Sequence, residues 1–196
     1  MRAAILPAAA RPAAVLAVLL ALSGCGGAEP APAGAPEAPA SAGAGTEAGT
    51  EVGTDVANPD APELLRFTAA TTAGERFDAS ELAGRDAVLW FWAPWCTQCQ
   101  FEAEHFAAAQ AAHADDVAFA GVAGLAPVAD MEGFVEQGGV GAFPHLVDAD
   151  GSLWQRFGVT AQPAHAFIDD SGEVEIVRGL LGAKQLEEKI AELVAK

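Results

Sequence analysis

Hydrophobic positions change their spacing along the chain from about residue 60 onward, and each spacing predicts a type of element. Residues 88–92 form a continuous apolar run of strand length, typical of a central strand covered on both faces. Residues 117–122 form a second buried strand of this kind. Near the C-terminus, Leu186, Ile190, Leu193 and Val194 recur at i, i+4, i+7 and i+8, which predicts an amphipathic helix over residues 183–194.

The remaining elements follow from turn residues and shorter apolar patterns. They are a hairpin (64–69 and 75–77), a one-turn helix (78–84) capped by Asp78 and stopped by Gly84, helices at 96–112 and 128–136, a strand at 145–147, a short helix around 153–157 and a hairpin (165–168 and 174–177). This order predicts an α/β fold, in which a mixed sheet carries helices on both faces and follows an N-terminal β-hairpin extension.

The first 24 residues are typical of a secretory signal. Arg2 and Arg11 form a weakly basic N-terminal region. The apolar stretch that follows, residues 13–22, is too short to span a bilayer comfortably. The four residues ending at Cys25, Leu-Ser-Gly-Cys, resemble a bacterial lipobox, in which the cysteine is lipidated and becomes the first residue of the mature protein. The alternative is an ordinary signal peptide with an incidental cysteine.

Residues 25–59 are predicted to be the lipidated cysteine and a disordered tether. Residues 26–58 consist almost entirely of Ala, Pro, Gly, Thr, Glu and Ser, with no aromatic residue, so they cannot bury enough apolar surface to offset chain entropy. We therefore expect one folded domain, at residues 60–196.

The formal net charge of −17 excludes two classes of partner. A chain this acidic should not bind nucleic acid, and it is not attracted electrostatically to an anionic membrane. Any membrane association is expected to come only from the lipid anchor.

Two of the three cysteines lie three positions apart, directly after the first buried strand. If a helix begins at Cys96, the spacing places Cys96 and Cys99 on one face, close enough to form a disulfide. The sulfur at the helix start faces unpaired N–H groups and the positive end of the helix dipole, which favour a thiolate. Cys96 is therefore the expected nucleophile, and Cys99, deeper in the helix, the expected resolving thiol.

The segment from Trp92 to Cys99, Trp-Ala-Pro-Trp-Cys-Thr-Gln-Cys, together with Gln162-Pro163 before a later strand, resembles the thioredoxin superfamily. The similarity is greatest to its secreted branch, the extracytoplasmic DsbE/DsbF-like proteins of actinobacteria. The resemblance implies a thioredoxin-like fold over residues 61–196. It also implies thiol-disulfide oxidoreductase activity, with the Cys96–Cys99 disulfide as the redox centre and no other cofactor.

The resemblance also assigns residues around the cysteines. It makes Pro163 a cis-proline, with the backbone of Gln162 available to pair with a substrate strand; the alternative is an ordinary proline at a strand entry. Trp95 is expected to be partly exposed as a platform for unfolded polypeptide. Thr97 and Gln98 are expected to tune the redox potential.

The sequence departs from cytoplasmic thioredoxins at the position that assists deprotonation of the buried thiol. A buried aspartate lies six residues before the first cysteine in those proteins, and Trp90 occupies that position here. Glu102 follows Cys99 by one helical turn and is the predicted proton acceptor; the alternative is a solvated helix glutamate. Glu104 stands where a proline often kinks this helix, so a straighter helix is expected.

These residues predict an oxidase that introduces disulfides into exported proteins, with a thiol reductase, for example in cytochrome c maturation, as the alternative. A copper chaperone with Cys96, Cys99 and His165 as ligands is a weaker alternative. A peroxidase is the weakest alternative, because peroxide-reducing relatives have a threonine three residues before the reactive cysteine, where this chain has Ala93. Because the domain has no second cysteine pair, a separate membrane redox partner is expected to recycle it, and we expect a monomer.

Overall fold

The computed structural model describes residues 52–196. The predicted signal peptide (1–24), Cys25 and most of the tether lie outside these residues. No helix within 52–196 combines the length and apolar composition needed to cross a membrane.

The domain contains seven strands and four α-helices in residues 52–196. The strands are β1 (Thr68–Ala70), β2 (Arg76–Asp78), β3 (Ala87–Trp92), β4 (Ala118–Gly124), β5 (His145–Asp148), β6 (Ala164–Ile168) and β7 (Val174–Arg178). The helices are α1 (Thr97–His113), α2 (Val128–Gly138), α3 (Ser152–Arg156) and α4 (Ala183–Val194). Short 3₁₀ turns cover Glu63–Leu65 and Ala79–Leu82.

The five strands β5-β4-β3-β6-β7 form one mixed sheet with β3 at its centre. The pairs β3–β4 and β4–β5 are parallel, whereas β3–β6 and β6–β7 are antiparallel. All six residues of β3 are buried, as the continuous apolar run predicts for a central strand. The predicted α/β fold with a mixed sheet and an N-terminal hairpin, β1–β2, is confirmed.

Aromatic side chains of β3 anchor helices on both faces of the sheet. Trp90 stacks on Phe106 of α1 at 4.6 Å between ring centroids, and Trp92 stacks on Phe134 of α2 at 4.1 Å. Phe91 points to the other face, where it packs against Phe157 just after α3. This alternation along one strand places α1 and α2 on the same face of the sheet.

The N-terminal boundary of the domain differs from the prediction. Gly53 and Thr68 exchange two backbone hydrogen bonds of 2.8 Å, and the N–H of Ala57 donates to the Asp78 carboxylate at 2.7 Å. Residues 53–58, which were predicted to end the tether, are therefore bonded to the hairpin. Their composition gave no sign of this, because the bonds use backbone groups that every residue carries.

The 3₁₀ turn before β3 agrees with the predicted capping. Asp78 accepts a hydrogen bond from the N–H of Ser80, and Gly84 has φ +80°, the left-handed conformation that glycine adopts without strain. The first strand of the hairpin is shorter than predicted. Its predicted start, residues 64–65, lies in the 3₁₀ turn that begins at Glu63.

Candidate active site

Cys96 and Cys99 form a disulfide at the start of α1, with their Cα atoms 5.2 Å apart. Cys96 is the N-cap, one residue before the first helical residue, so the helix starts one position later than predicted. The side chains differ in burial: Cys96 is 6% exposed and Cys99 is 0% exposed. This difference agrees with the predicted order of reaction, in which the more accessible sulfur meets the substrate first.

A backbone N–H group of α1 donates to the Cys96 sulfur. The N–H of Cys99 donates to Cys96 Sγ at 3.1 Å, the contact that a capping side chain makes with the first turn. The helix that follows is uninterrupted for 17 residues, including Glu104. A thiolate at Cys96 would therefore meet both a hydrogen-bond donor and the positive end of a long helix dipole.

Three loops meet at the sheet end that carries the disulfide. The antiparallel pairing of Phe91 with Ala164 places Pro163 beside the end of β3, from which the chain runs to Cys96. The parallel pairing of Trp92 with Ala123 places the loop after β4 on the other side of this chain segment. In open α/β sheets, the crevice at the carboxyl ends of the strands is where ligands bind.

The loop before β6 contains the cis-proline that the family resemblance implies. The Gln162–Pro163 peptide bond is cis. The Pro163 carbonyl accepts a hydrogen bond from the N–H of Gly179 at 2.9 Å, whereas Gln162 makes no backbone hydrogen bond to another part of residues 52–196. The N–H and C=O of Gln162 are therefore available to an incoming strand.

Trp95 and Leu125 form an exposed apolar surface next to the disulfide. Trp95 is 59% exposed, and its indole N–H lies 3.4 Å from the Leu125 carbonyl. Leu125 is 48% exposed and has φ 57°, a left-handed conformation that is strained for a leucine. The exposure of Trp95 agrees with the prediction, whereas Leu125 was not predicted, because a positive φ at leucine leaves no pattern in the sequence. Its position directly after a buried strand was the one available signal.

Glu102 lies in the core, with 0% exposure, and this excludes the alternative of a solvated helix glutamate. Its carboxylate accepts hydrogen bonds from the indole N–H of Trp90 at 2.9 Å and from the backbone N–H of Leu181. His165 Nε2 lies 3.3 Å from the same carboxylate. Trp90, which replaces the aspartate of cytoplasmic thioredoxins, therefore holds an acid that α1 brings into the same interior.

His165 belongs to this buried cluster and is itself 0% exposed. It pairs with Trp90 across the β3–β6 ladder and stacks on Phe106 at 5.6 Å. The copper alternative required His165 to face the cysteines, whereas its Nε2 faces Glu102. Within residues 52–196, no group of three or more His, Cys, Asp or Glu side chains is arranged to hold a metal ion.

A second buried histidine, His145, has a different role. Its Nδ1 accepts the indole N–H of Trp92 at 3.2 Å, and its Nε2 lies 2.9 Å from the Val140 carbonyl. Burial lowers the pKa of His145 from 6.5 to about 4, because the charged ring would lose its hydration. His145 is therefore neutral at physiological pH and acts in packing. His113, nearer the surface as expected, pairs with Glu187 at 2.8 Å.

Comparison with known proteins finds similar sequences and similar folds. The AhpC/TSA family model matches residues 60–177. The soluble secreted antigen MPT53 of Mycobacterium tuberculosis is 41% identical over 128 residues, which cover 65% of this chain and 73% of MPT53.

Two solved structures resemble the chain closely. The structure of MTB DsbF in its mixed oxidized and reduced forms has a TM-score of 0.66 and 46% identity, covering 68% of this chain and 98% of that one. A secreted Mycobacterium tuberculosis disulfide oxidoreductase, described as homologous to E. coli DsbE, has a TM-score of 0.65 and 39% identity, covering 68% and 100%. The predicted resemblance to this secreted branch is confirmed. The chain therefore belongs to the AhpC/TSA family, as one of its thioredoxin-like thiol-disulfide oxidoreductases.

Proposed function

We propose that the enzyme is an extracytoplasmic oxidase that introduces disulfides into exported proteins. The observation that carries this proposal is the hydrogen bond from the Cys99 N–H to Cys96 Sγ at the start of α1. Any interaction that stabilises the Cys96 thiolate stabilises the reduced enzyme, and this makes the disulfide a stronger oxidant. The relatives support thiol-disulfide exchange in either direction, since one is described as DsbF and another as a disulfide oxidoreductase.

In the oxidase direction, a substrate thiolate attacks Cys96 Sγ and breaks the Cys96–Cys99 bond. Cys99 leaves as a thiolate and takes up a proton, which we assign to Glu102 on the adjacent turn of α1. A second substrate thiolate then attacks the substrate sulfur of the mixed disulfide. The substrate leaves with a new disulfide, and Cys96 is released as a thiolate that retains the two electrons.

The proposed substrates are cysteine-bearing segments of unfolded exported proteins. Trp95 and Leu125 supply an exposed apolar contact on one side of the disulfide. On the other side, the free backbone groups of Gln162 can pair with an extended chain whatever its sequence. A surface of this kind suits many different substrates, because most of its affinity comes from apolar area and backbone hydrogen bonds.

A reductase is the second candidate, and the burial of Glu102 favours it. The position of Trp90 lacks an acid, but the interior does contain one, Glu102, which accepts a hydrogen bond from the Trp90 indole. In the reductase direction Cys99 must lose a proton before it attacks the mixed disulfide at Cys96, and Glu102 can accept that proton. Both directions thus use the same residues, and they differ in the stability of the reduced pair.

The reduction potential of the Cys96–Cys99 disulfide distinguishes the two candidates. We expect a value between about −120 and −200 mV, the range of oxidising proteins of this fold, measured by equilibration with glutathione. A value near the −270 mV typical of thioredoxin would contradict the oxidase. For this two-electron couple, each 50 mV toward a more reducing potential corresponds to about 2 to 3 kcal/mol of stability of the disulfide over the dithiol.

Thr97 and Gln98 are proposed to have a modest effect on this potential. Both side chains are exposed between the cysteines and make no hydrogen bond to the sulfurs. Alanine at either position should therefore shift the potential by less than about 30 mV, or 1.4 kcal/mol. A larger shift would show that one of these side chains contacts the thiolate in the reduced enzyme.

The proposed location is the outer face of the cell membrane, with Cys25 lipidated after removal of residues 1–24. MPT53 is described as soluble and secreted, so release from the cell is the competing outcome. Metabolic labelling with a palmitate analogue separates the two, with Cys25→Ser as the matched control. The native chain should be labelled and sediment with membranes, and the variant should be unlabelled. An unlabelled native chain in the medium would refute the anchor.

We also propose that the domain is a monomer recharged by a separate membrane redox partner. The chain has three cysteines, and Cys96 and Cys99 are the two that lie in the domain, so a second redox pair must come from another protein. A Cys99→Ser variant should trap that partner as a mixed disulfide on Cys96. Cys96→Ser is the control that should trap nothing.

A further inference from the structure

The Glu102 carboxylate sits in a pocket made of hydrogen-bond donors. The Trp90 indole and the Leu181 backbone each donate to it, and neither group can accept a proton. His165 Nε2, at 3.3 Å, is the third neighbour and the one that can both give and take a proton. The pocket thus combines two fixed donors with one titratable partner.

His165 directs one nitrogen to this carboxylate and leaves the other without a partner. Nδ1 is the buried side-chain polar atom for which residues 52–196 provide no hydrogen bond. A buried polar group without a partner is costly, so the contacts made by the rest of the ring must offset the burial of Nδ1. Its orientation, stacked on Phe106, is accounted for by the contact between Nε2 and Glu102.

Cys99 and Glu102 are neighbours on the buried side of α1. Their spacing of three residues corresponds to about 5–6 Å between Cβ atoms on a helix. Both side chains are fully buried, so water cannot readily exchange a proton with the Cys99 sulfur. The proton that Cys99 gains or loses during thiol-disulfide exchange therefore needs a donor or an acceptor inside the domain.

We infer that His165 is a positioning residue for this proton transfer: its Nε2–H fixes the Glu102 carboxyl group where it can exchange a proton with Cys99, giving the proton in the oxidase direction and accepting it when Cys99 attacks Cys96. The inference rests on the proposed role of Glu102. In the resolving step, the proton moves from Cys99 Sγ to the Glu102–His165 pair, and the Cys99 thiolate attacks Cys96 Sγ. The substrate sulfur leaves with the electron pair of the broken mixed disulfide, and the Cys96–Cys99 bond forms.

No other charged side chain contacts the carboxylate from the elements packed around it in the described domain. The β3 strand contributes Trp90, and α2 contributes Phe134, which packs on that indole. The segment before α4 contributes the Leu181 backbone. Charged residues of α4 itself bond elsewhere at the surface: Lys184 pairs with Glu188, and Glu187 pairs with His113. The pH response of the resolving step should therefore depend on Cys99, Glu102 and His165.

The test measures the resolving step as a function of pH. The full-length protein carrying Cys25→Ser, which leaves Cys96 and Cys99 as its two cysteines, is reduced and mixed with Ellman's reagent; Cys96 releases the first thionitrobenzoate, and attack by Cys99 on the resulting mixed disulfide releases the second. His165→Phe keeps an aromatic ring against Phe106 but removes Nε2–H. His165→Gln restores an amide N–H close to the position of Nε2.

His165→Phe should raise the pH of half-maximal second release by about one to two units, because the carboxylate loses one charge-assisted donor. His165→Gln should return the midpoint to near the wild-type value. His145→Gln, which changes another buried histidine of the same sheet, should leave the midpoint unchanged. A midpoint unchanged in His165→Phe, or shifted equally in His165→Gln or His145→Gln, would overturn the inference.

Two further variants keep the test decisive. Trp90→Phe removes a different donor from the same carboxylate, so it should shift the midpoint in the same direction even if His165→Phe does not fold; an unchanged midpoint there would also contradict the inference. Glu102→Gln should slow the second release and remove this pH dependence. If Glu102→Gln keeps the wild-type profile, the proposed role of Glu102 fails. If it alone changes the profile, only the role of His165 fails.

Discussion

Acidification should destabilise the domain through His145. The neutral ring fits its two contacts, since Nδ1 accepts the Trp92 indole N–H and Nε2 donates to the Val140 carbonyl. A proton on Nδ1 would place two N–H groups against each other. The pKa of His145 is therefore lowered by burial to about 4 in the folded state, against 6.5 for the ordinary side chain.

The sign follows from the protons bound by each state. Between pH 6.5 and 4 the unfolded chain binds a proton at this residue and the folded chain does not, so the free energy of unfolding falls as the pH is lowered. One unit of pKa difference corresponds to 1.36 kcal/mol. The loss from His145 is then about 2 kcal/mol at pH 5 and about 3 kcal/mol at pH 4, with full stability above pH 6.5.

Urea unfolding of the oxidised protein, followed by tryptophan fluorescence from pH 7 to pH 4, measures this loss. His145→Gln removes the titration, while its amide can still accept from Trp92 and donate to Val140. Carboxylates such as Asp148 titrate in both proteins and cancel in the difference. The stability advantage of wild type over the variant should shrink by about 3 kcal/mol between pH 7 and pH 4.

His105→Gln is the matched control, because it alters a half-buried histidine on α1 and leaves His145 in place; its curve should keep the wild-type slope. The reasoning is refuted if the difference between wild type and His145→Gln stays constant over this pH range. It is also refuted if that difference grows on acidification.

Three other outcomes follow from local geometry. Trp95→Ala should raise KM for an unfolded protein substrate about tenfold while the reaction with Ellman's reagent stays near wild type, because the loss is in apolar contact; equal losses in both assays would contradict this. Leu125→Gly should keep the free energy of unfolding within about 1 kcal/mol of wild type, since relief of the left-handed backbone offsets glycine entropy, yet lower turnover of that substrate. Gly121→Ala should lower the free energy of unfolding in urea by more than about 2 kcal/mol, because the added Cβ would lie 2.0 Å from His145 Nδ1. Gly133→Ala is the control and should not destabilise the domain, since the atom nearest to its added Cβ is 3.6 Å away.

The position of the buried acid has a consequence for the redox pair. In this chain the carboxylate comes from α1, the helix that carries both cysteines, and the central strand supplies the indole that holds it. An acid on the same helix as Cys99 keeps a fixed distance from the thiol, since both are set by one helical turn. Substitutions in β3 or β6 are thus expected to change the protonation of the site more than its geometry.

The sequence determined the elements that local patterns encode. The apolar run of residues 88–92 requires a strand covered on both faces, and the stripe of α4 requires a helix with one buried face, so both were predicted nearly to the residue. The Cys96–Cys99 spacing at a helix start also predicted the disulfide, because residues three positions apart lie on one face of a helix. Pro163 and Trp95 came from the family resemblance, and the observed cis bond and exposure agree with it.

Only the tertiary structure decided which residues surround the reactive pair. Trp90 and His165 lie 12 and 63 positions from Glu102 along the chain. The β3–β6 register places Trp90 beside His165, and both contact Glu102 of α1. The docking of residues 53–58 on the hairpin and the left-handed Leu125 likewise depend on contacts between distant segments. The spacing of apolar residues indicates which face of a helix or strand is buried, but it does not indicate which other element packs against that face.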